Sequence, residues 1–377
     1  MPPPGQLGPP RTSSTAWRAY RKSPWIRQFL LPGRLAALRP RLRCDSHAPM
    51  DRSLPPLSPP ALAAVALVCA AGCGTCRGGP GPREDVAPTP RSPTALVEAG
   101  SIPSGDAGGA EAGGDPVVRE IELQGFDRSP ARAVLAYPGP AAAARDAPIV
   151  IALHGRGEAV RGPARGHRGW VDDYALLDAM AAVGRRRLTR DDYRGFVDEP
   201  RLAAATALLA RAPLRPLIVV APYLPDLVGE PPGSPALRLY GDWLAGPLLE
   251  ATRRALPSAS PHRQDVGIDG VSLGGMVALE VGFANPEVFG RVGAIQPAVR
   301  GRVDALARAA GRREGPAQRV RLLTSHDDPF LEVTYRLAEA LRAQGVDTEL
   351  VDVPGPHDYS FNRGPGSLEL LLFHGAR

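Results

Sequence analysis

Val266-Gly-Ile-Asp-Gly270-Val-Ser272-Leu-Gly274-Gly275-Met-Val-Ala-Leu279 runs from a short apolar stretch, through Gly-x-Ser-x-Gly, straight into a helical pattern. That order places Ser272 on a strained strand-to-helix turn. The flanking glycines are needed because side chains there would meet the neighbouring backbone. Such a turn lifts the serine hydroxyl clear of the sheet. It also puts the next N–H, that of Leu273, at a helix N-terminus, where it can stabilise an oxyanion.

Outward from this turn, short β-branched runs alternate with helical stretches. Strands are expected at 117–123, 131–136, 148–153, 217–221, 266–271, 291–295, 320–324 and 349–353. Helices are expected at about 237–255, 274–284 and 331–344. Strand-then-helix alternation predicts an α/β fold, with a mostly parallel eight-stranded sheet covered by helices on both faces.

A serine nucleophile needs a base and an acid, and with a Gly-x-Ser-x-Gly turn of this kind they follow in the chain order Ser, acid, His. The run at 320–324 is followed by Ser325-His326-Asp327-Asp328-Pro329-Phe330, and the run at 349–353 by Pro354-Gly-Pro-His357-Asp358-Tyr359. Both segments fall at the carboxyl edge of the sheet, as Ser272 does. His357 is therefore the candidate base and Asp328, immediately before the Pro-Phe that opens the following helix, the candidate acid, with Asp327 as the alternative. Asp327 could equally be that helix's N-cap, with Asp328 in its first turn. A metal reading of His326, Asp327 and Asp358 lacks any fixed ligand spacing. Ile149-Val-Ile-Ala-Leu-His154-Gly155-Arg156-Gly157 ends an apolar strand in His-Gly and makes the Arg156 N–H the candidate second oxyanion donor. His154 is read as structural.

These segments resemble the esterase D (antigen 85-like) family of α/β hydrolases, which includes S-formylglutathione hydrolases, enterochelin and feruloyl esterases and the antigen 85 mycolyltransferases. The similarity extends over roughly residues 117–373. It is carried by Tyr240-Gly-Asp-Trp243-Leu-Ala-Gly-Pro-Leu-Leu249, Gly270–Gly275, Ala284-Asn-Pro286-Glu-Val-Phe289-Gly and Pro354-Gly-Pro-His357-Asp-Tyr. The resemblance implies an α/β-hydrolase fold and ester hydrolysis or acyl transfer through an acyl-enzyme, without a cofactor. The segment 157–215, long and rich in arginine, carries Trp170, Tyr174, Tyr193 and Phe196. It is either a lid over the site or a helical decoration.

The net charge of +6 comes from the start of the chain. Residues 1–49 hold nine Lys/Arg against Asp45 alone, so the remainder is slightly acidic. That excludes a polyanion-binding domain, and no nucleic-acid partner is expected. Met50 followed by the apolar run 61–71 and Gly72-Cys73 reads as a signal peptide over 50–73 with a lipobox-like Cys73, too short to span a bilayer. Residues 1–49 are then a non-native or disordered extension, with a transit peptide as the alternative. Residues 74–115, rich in Gly, Pro and Ala, are expected to form a flexible tether, and 116–377 the α/β-hydrolase domain. Attachment to a membrane would be through the N-terminal lipid alone, in a bacterial cell envelope. All four cysteines (Cys44, Cys69, Cys73, Cys76) precede the domain, so it has neither disulfides nor thiolate ligands.

The expected substrate is a small or glycan-linked carboxylic ester. An acyltransferase using the same residues, or a non-catalytic binding lipoprotein that keeps the fold, are the alternatives.

Overall fold

The computed structural model describes residues 115–139, 146–312 and 315–377. The expected extension, signal peptide with Cys73, and nearly all of the tether lie outside those residues. From Pro116 the chain forms eight strands: β1 (Pro116–Gln124), β2 (Pro130–Pro138), β3 (Ile149–Leu153), β4 (Ile218–Pro222), β5 (Val266–Gly270), β6 (Arg291–Ile295), β7 (Arg319–Asp327) and β8 (Asp347–Pro356). They pair in the order β1-β2-β4-β3-β5-β6-β7-β8. β2 runs antiparallel to β1 and β4, and every other neighbouring pair is parallel. This is an α/β-hydrolase fold.

Parallel strands covered on both faces read as unbroken apolar runs, and β3 and β4 are buried at every position. Their side chains alternate between two cores. Ile149, Ile151 and Leu153 enter one; Val150 and Ala152 enter the other. The first core is closed by α4 (Pro235–Trp243), α5 (Leu249–Ala255), α6 (Leu273–Ala284), α7 (Val303–Ala310) and α8 (Leu331–Ala343). The second is closed by α2 (Leu176–Gly184), α3 (Glu199–Arg211) and α9 (Ser367–Gly375). A four-residue helix, α1 (Arg156–Ala159), follows β3.

The helix expected over 237–255 is interrupted. Pro247 has no N–H to give, and the chain accommodates it in a π-helical turn, Leu244–Leu248, between α4 and α5. Segment 157–215 carries helices, α2 and α3 among them, that pack on the second core. Trp170, Tyr174 and Tyr193 are fully buried in the second core, beside Val134 and Val150 of the sheet.

Candidate active site

Ser272 stands between β5 and α6 with φ 55° and ψ −108°, a conformation that costs a non-glycine residue about 1–3 kcal/mol. Its neighbours hold it there. The Ser272 N–H donates to Ile295 O at 2.9 Å, and Ser272 O accepts from Met276 and Ala298 N–H, each at 3.0 Å. The glycines of the motif are required by space. A Cβ on Gly270 would lie 2.4 Å from the Gly274 carbonyl, and one on Gly274 would lie 2.4 Å from Leu153 O. The β3–β5 pairing of Leu153 with Gly270, continued by a bond from Val271 N–H to Leu153 O at 3.1 Å, produces this closeness. It also lays the His154-Gly155-Arg156 segment against the turn.

At the ends of β7 and β8 the structure brings the two expected partners to the serine. His357 Nε2 is 3.1 Å from Ser272 Oγ, and His357 Nδ1 is 2.9 Å from Asp328 Oδ1. A carboxylate on Nδ1 fixes the tautomer with the proton there, which leaves the Nε2 lone pair facing the hydroxyl. Asp328 is itself oriented: Thr324 Oγ1 donates to Oδ2 at 2.9 Å, and the Phe330 N–H donates to Oδ1 at 3.0 Å. Its side chain is buried, while that of His357 is 20% exposed. The Phe330 ring packs edge-on against the imidazole at 5.4 Å.

The choice between the two aspartates follows from where β7 ends. The strand runs three residues beyond the expected Thr324, with a register irregularity between Ser325 and Asp327, so Asp327 is an exposed strand residue. Asp328 is the first residue past it. His326 is exposed 3.6 Å from Asp352, and Asp358 caps the turn Tyr359–Phe361, accepting from Ser360 N–H at 2.8 Å.

Both candidate oxyanion donors are first residues of helices, Leu273 of α6 and Arg156 of α1, where the N–H has no carbonyl of its own helix to reach. The Arg156 guanidinium is engaged with Asp226 at 2.9 Å, so its backbone, not its side chain, is the donor to consider. His154 orients that backbone. Its Nε2 accepts from Leu224 N–H at 2.9 Å, which leaves Nδ1–H to donate to Gly155 O, also at 2.9 Å. Gly155 C=O and Arg156 N–H belong to one trans peptide, so fixing the first turns the second to the opposite side. Burial lowers the His154 pKa to about 4, and the ring stays neutral in this role. The expected structural part of His154 is thus a specific one.

Sequence reasoning missed a second set of residues. Asp269, three positions before Ser272, is fully buried with Arg321 Nη2 at 2.5 Å and His374 Nε2 at 3.0 Å from its Oδ2. Gln296, with φ 46°, sends its side-chain amide to Ser325 Oγ at 2.6 Å and Pro356 O at 2.9 Å, joining the acid-bearing and histidine-bearing strand ends. Glu158 and Tyr174, both buried, and the half-buried Tyr359 form a third group. A signal existed for the first: Asp269 sits inside an otherwise apolar strand and Arg321 within the apolar stretch 320–323, where a lone charge demands a partner. Gln296, Glu158 and the tyrosines have no such mark.

No known family model matches the sequence, and no curated protein matches it. Among solved structures, the fold is similar to that of a ferulic acid esterase (16% identity, TM-score 0.49, covering 69% of this chain and 98% of that one). It is also similar to the enterobactin esterase of Shigella flexneri (18%, 0.47, 68% and 58%). A third is the S-formylglutathione hydrolase of Staphylococcus aureus (12%, 0.46, 70% and 97%).

Proposed function

We propose that this protein is a serine carboxylic ester hydrolase that works through an acyl-enzyme. One observation carries the reading: the unbroken relay Ser272–His357–Asp328, with contacts of 3.1 and 2.9 Å at the tip of a strained strand-to-helix turn. In that mechanism His357 Nε2 takes the hydroxyl proton as Ser272 Oγ adds to the ester carbonyl. Asp328 keeps the imidazole in its tautomer and stabilises the imidazolium. The N–H groups of Leu273 and Arg156 receive the developing oxyanion. His357 then protonates the departing alkoxide, leaving the acyl group on Ser272. Water, activated by the same imidazole, releases the acid. No part of this sequence requires a cofactor.

The substrate class we propose is a small or glycan-linked carboxylic ester. We also propose that the domain is held at a bacterial cell envelope by a lipid on Cys73. Incorporation of a clickable palmitate analogue that disappears in Cys73→Ala would support the anchor, and an unlabelled soluble product would refute it.

The test of the activity is hydrolysis of short-chain p-nitrophenyl esters by residues 116–377, beside Ser272→Ala, with a fluorophosphonate to label the nucleophile. Turnover and labelling that both vanish in the variant are the expected result. A folded protein that does neither overturns the proposal and favours a binding protein that has kept the fold.

A further inference from the structure

Glu158 is 1% exposed, and each of its carboxylate oxygens accepts one tyrosine hydroxyl. Tyr174 Oη donates to Oε2 at 2.5 Å, and Tyr359 Oη donates to Oε1 at 2.6 Å. The Tyr174 oxygen in turn accepts the Gly155 N–H at 2.9 Å, and the Tyr359 oxygen accepts from Arg161 Nη2 at 3.1 Å. Arg161 is itself held by Asp173 at 2.6 Å. A continuous chain therefore runs from the backbone of the segment after β3, through one buried carboxylate, to a residue two positions past His357.

The surroundings are shaped for this contact. A Cβ on Gly157 would fall 2.4 Å from Tyr359 Oη, one on Gly155 would lie 3.1 Å from Tyr174 Oη, and one on Gly169 would lie 2.6 Å from Glu158 Cγ. A methyl at Gly157 or Gly169 would collide with the group unless it shifted, and one at Gly155 would be a tight fit. Burial first, then the adjacent carboxylate, raise the pKa of both tyrosines, so both hydroxyls keep the protons they donate. A carboxylate at this depth is tolerated only when its oxygens are bonded.

A buried carboxylate is often no more stabilising than an apolar side chain of its size. What the chain does supply is orientation. Gly155 is gripped at both ends, its N–H by Tyr174 and its C=O by His154, and the peptide so fixed carries the Arg156 N–H. We infer that Glu158 is a positioning residue that couples the oxyanion segment to the His357 loop through Tyr174 and Tyr359, so that donor and base keep one mutual geometry. This rests on the hydrolase reading above.

The experiment compares Tyr174→Phe, Tyr359→Phe and their double variant with the parent protein, using p-nitrophenyl acetate, with Ser272→Ala as the blank. Tyr335→Phe, which removes an exposed hydroxyl bonded to Asp352 at 2.6 Å, is the control for a merely structural loss. Losing a whole oxyanion donor costs about 10²–10³ in kcat. Displacing one is expected to cost each variant ten- to a hundredfold in kcat, with KM within twofold. The double variant should be little worse than the worse single one, because the members of one chain are not additive.

Unchanged kcat in both single variants, or a loss matched by Tyr335→Phe, overturns the inference. Amide hydrogen exchange gives a second reading that needs no turnover. Tyr359→Phe should lower protection of 152–160 as well as 354–361, and a change confined to 354–361 overturns the coupling. Should the parent protein show no Ser272-dependent hydrolysis, the hydrolase proposal falls and the exchange result alone decides the coupling.

Discussion

Acidification should weaken this fold well before its carboxylates titrate, and His154 is the first cause. Its pKa is about 4 in the folded protein against 6.5 for an unstrained imidazole, because the ring is buried and its Nε2 is occupied as an acceptor from Leu224 N–H. The unfolded chain therefore binds more protons than the native one as pH falls below 6.5, and stability is lost progressively until pH reaches about 4. At about 1.4 kcal/mol for each tenfold difference in proton affinity, the full effect is about 3 kcal/mol, of which roughly 2 kcal/mol has gone by pH 5. A domain of this size loses about 3 kcal/mol per molar of urea, so the midpoint should fall by roughly 0.7 M between pH 7 and pH 5 from this group alone. His374, also lowered by burial, adds to the fall in the same direction. The carboxylates held below their usual range, among them Asp265 and Glu120, add little in this window, since they are ionised in both states above about pH 5. The assay is urea unfolding followed by tryptophan fluorescence at pH 7, 6 and 5 for the parent and for His154→Gln. The variant will be less stable at pH 7, but its midpoint should shift less with pH by that same 0.7 M. A pH dependence identical in the two proteins would refute the argument that a neutral, buried His154 holds the Gly155 peptide.

Asp328→Asn should lower kcat by about 10³–10⁴ by favouring the wrong imidazole tautomer, whereas Asp327→Asn should change it less than twofold; stopped-time p-nitrophenyl acetate assays separate them. Gly274→Ala drives a methyl to 2.4 Å from Leu153 O and should cost about 1–3 kcal/mol in urea unfolding, with slower labelling of Ser272 by a fluorophosphonate. Arg321→Met strands the buried charge of Asp269 and should cost about 3–5 kcal/mol by the same measurement. Asp269→Asn in that background should recover part of it.

The sheet was legible because parallel strands buried on both faces leave apolar runs bounded by turns, and all eight expected strands overlap the observed ones. The ends were less so. β7 continues to Asp327 because backbone pairing with β8 carries it past the apolar run. Helices with a mixed or uniform face were harder to see. α9 is buried at every position, so it has no polar side to mark a period. α3 did carry a signal, Asp198 capping Arg201 N–H with Pro200 behind it, but its apolar residues are mostly alanine. In the site, Ser272, His357 and Asp328 are each announced by local grammar: a glycine-flanked turn, or a loop following a strand. Glu158 and Gln296 act through partners 201 and 60 residues away, and such separations leave no trace in a single sequence; Asp269, bonded to His374 105 residues away, is marked only as a charge inside an apolar strand.

That division has a physical origin. Strand order brings three loop ends to one edge of the sheet, but pairing fixes only the backbone up to each strand's last residue. Catalysis by a relay needs its groups within about half an ångström, and loops beyond the last ladder bond have no ladder to set them. Beside the Phe330 ring that packs on His357, the joints between those loops are polar contacts, buried or half-buried. Gln296 links the ends of β7 and β8, His154 and Tyr174 fix the peptide after β3, and Glu158 ties that peptide to the histidine loop. Apolar packing tolerates small slips, whereas a hydrogen bond loses its strength within a few tenths of an ångström and a few tens of degrees. Directional contacts are thus the means by which soft loops are held to the tolerance that the chemistry sets. Their cost falls on folding: Gln296 keeps a left-handed backbone and Glu158 a buried charge, so relaxing either should raise stability only where it also loosens the site.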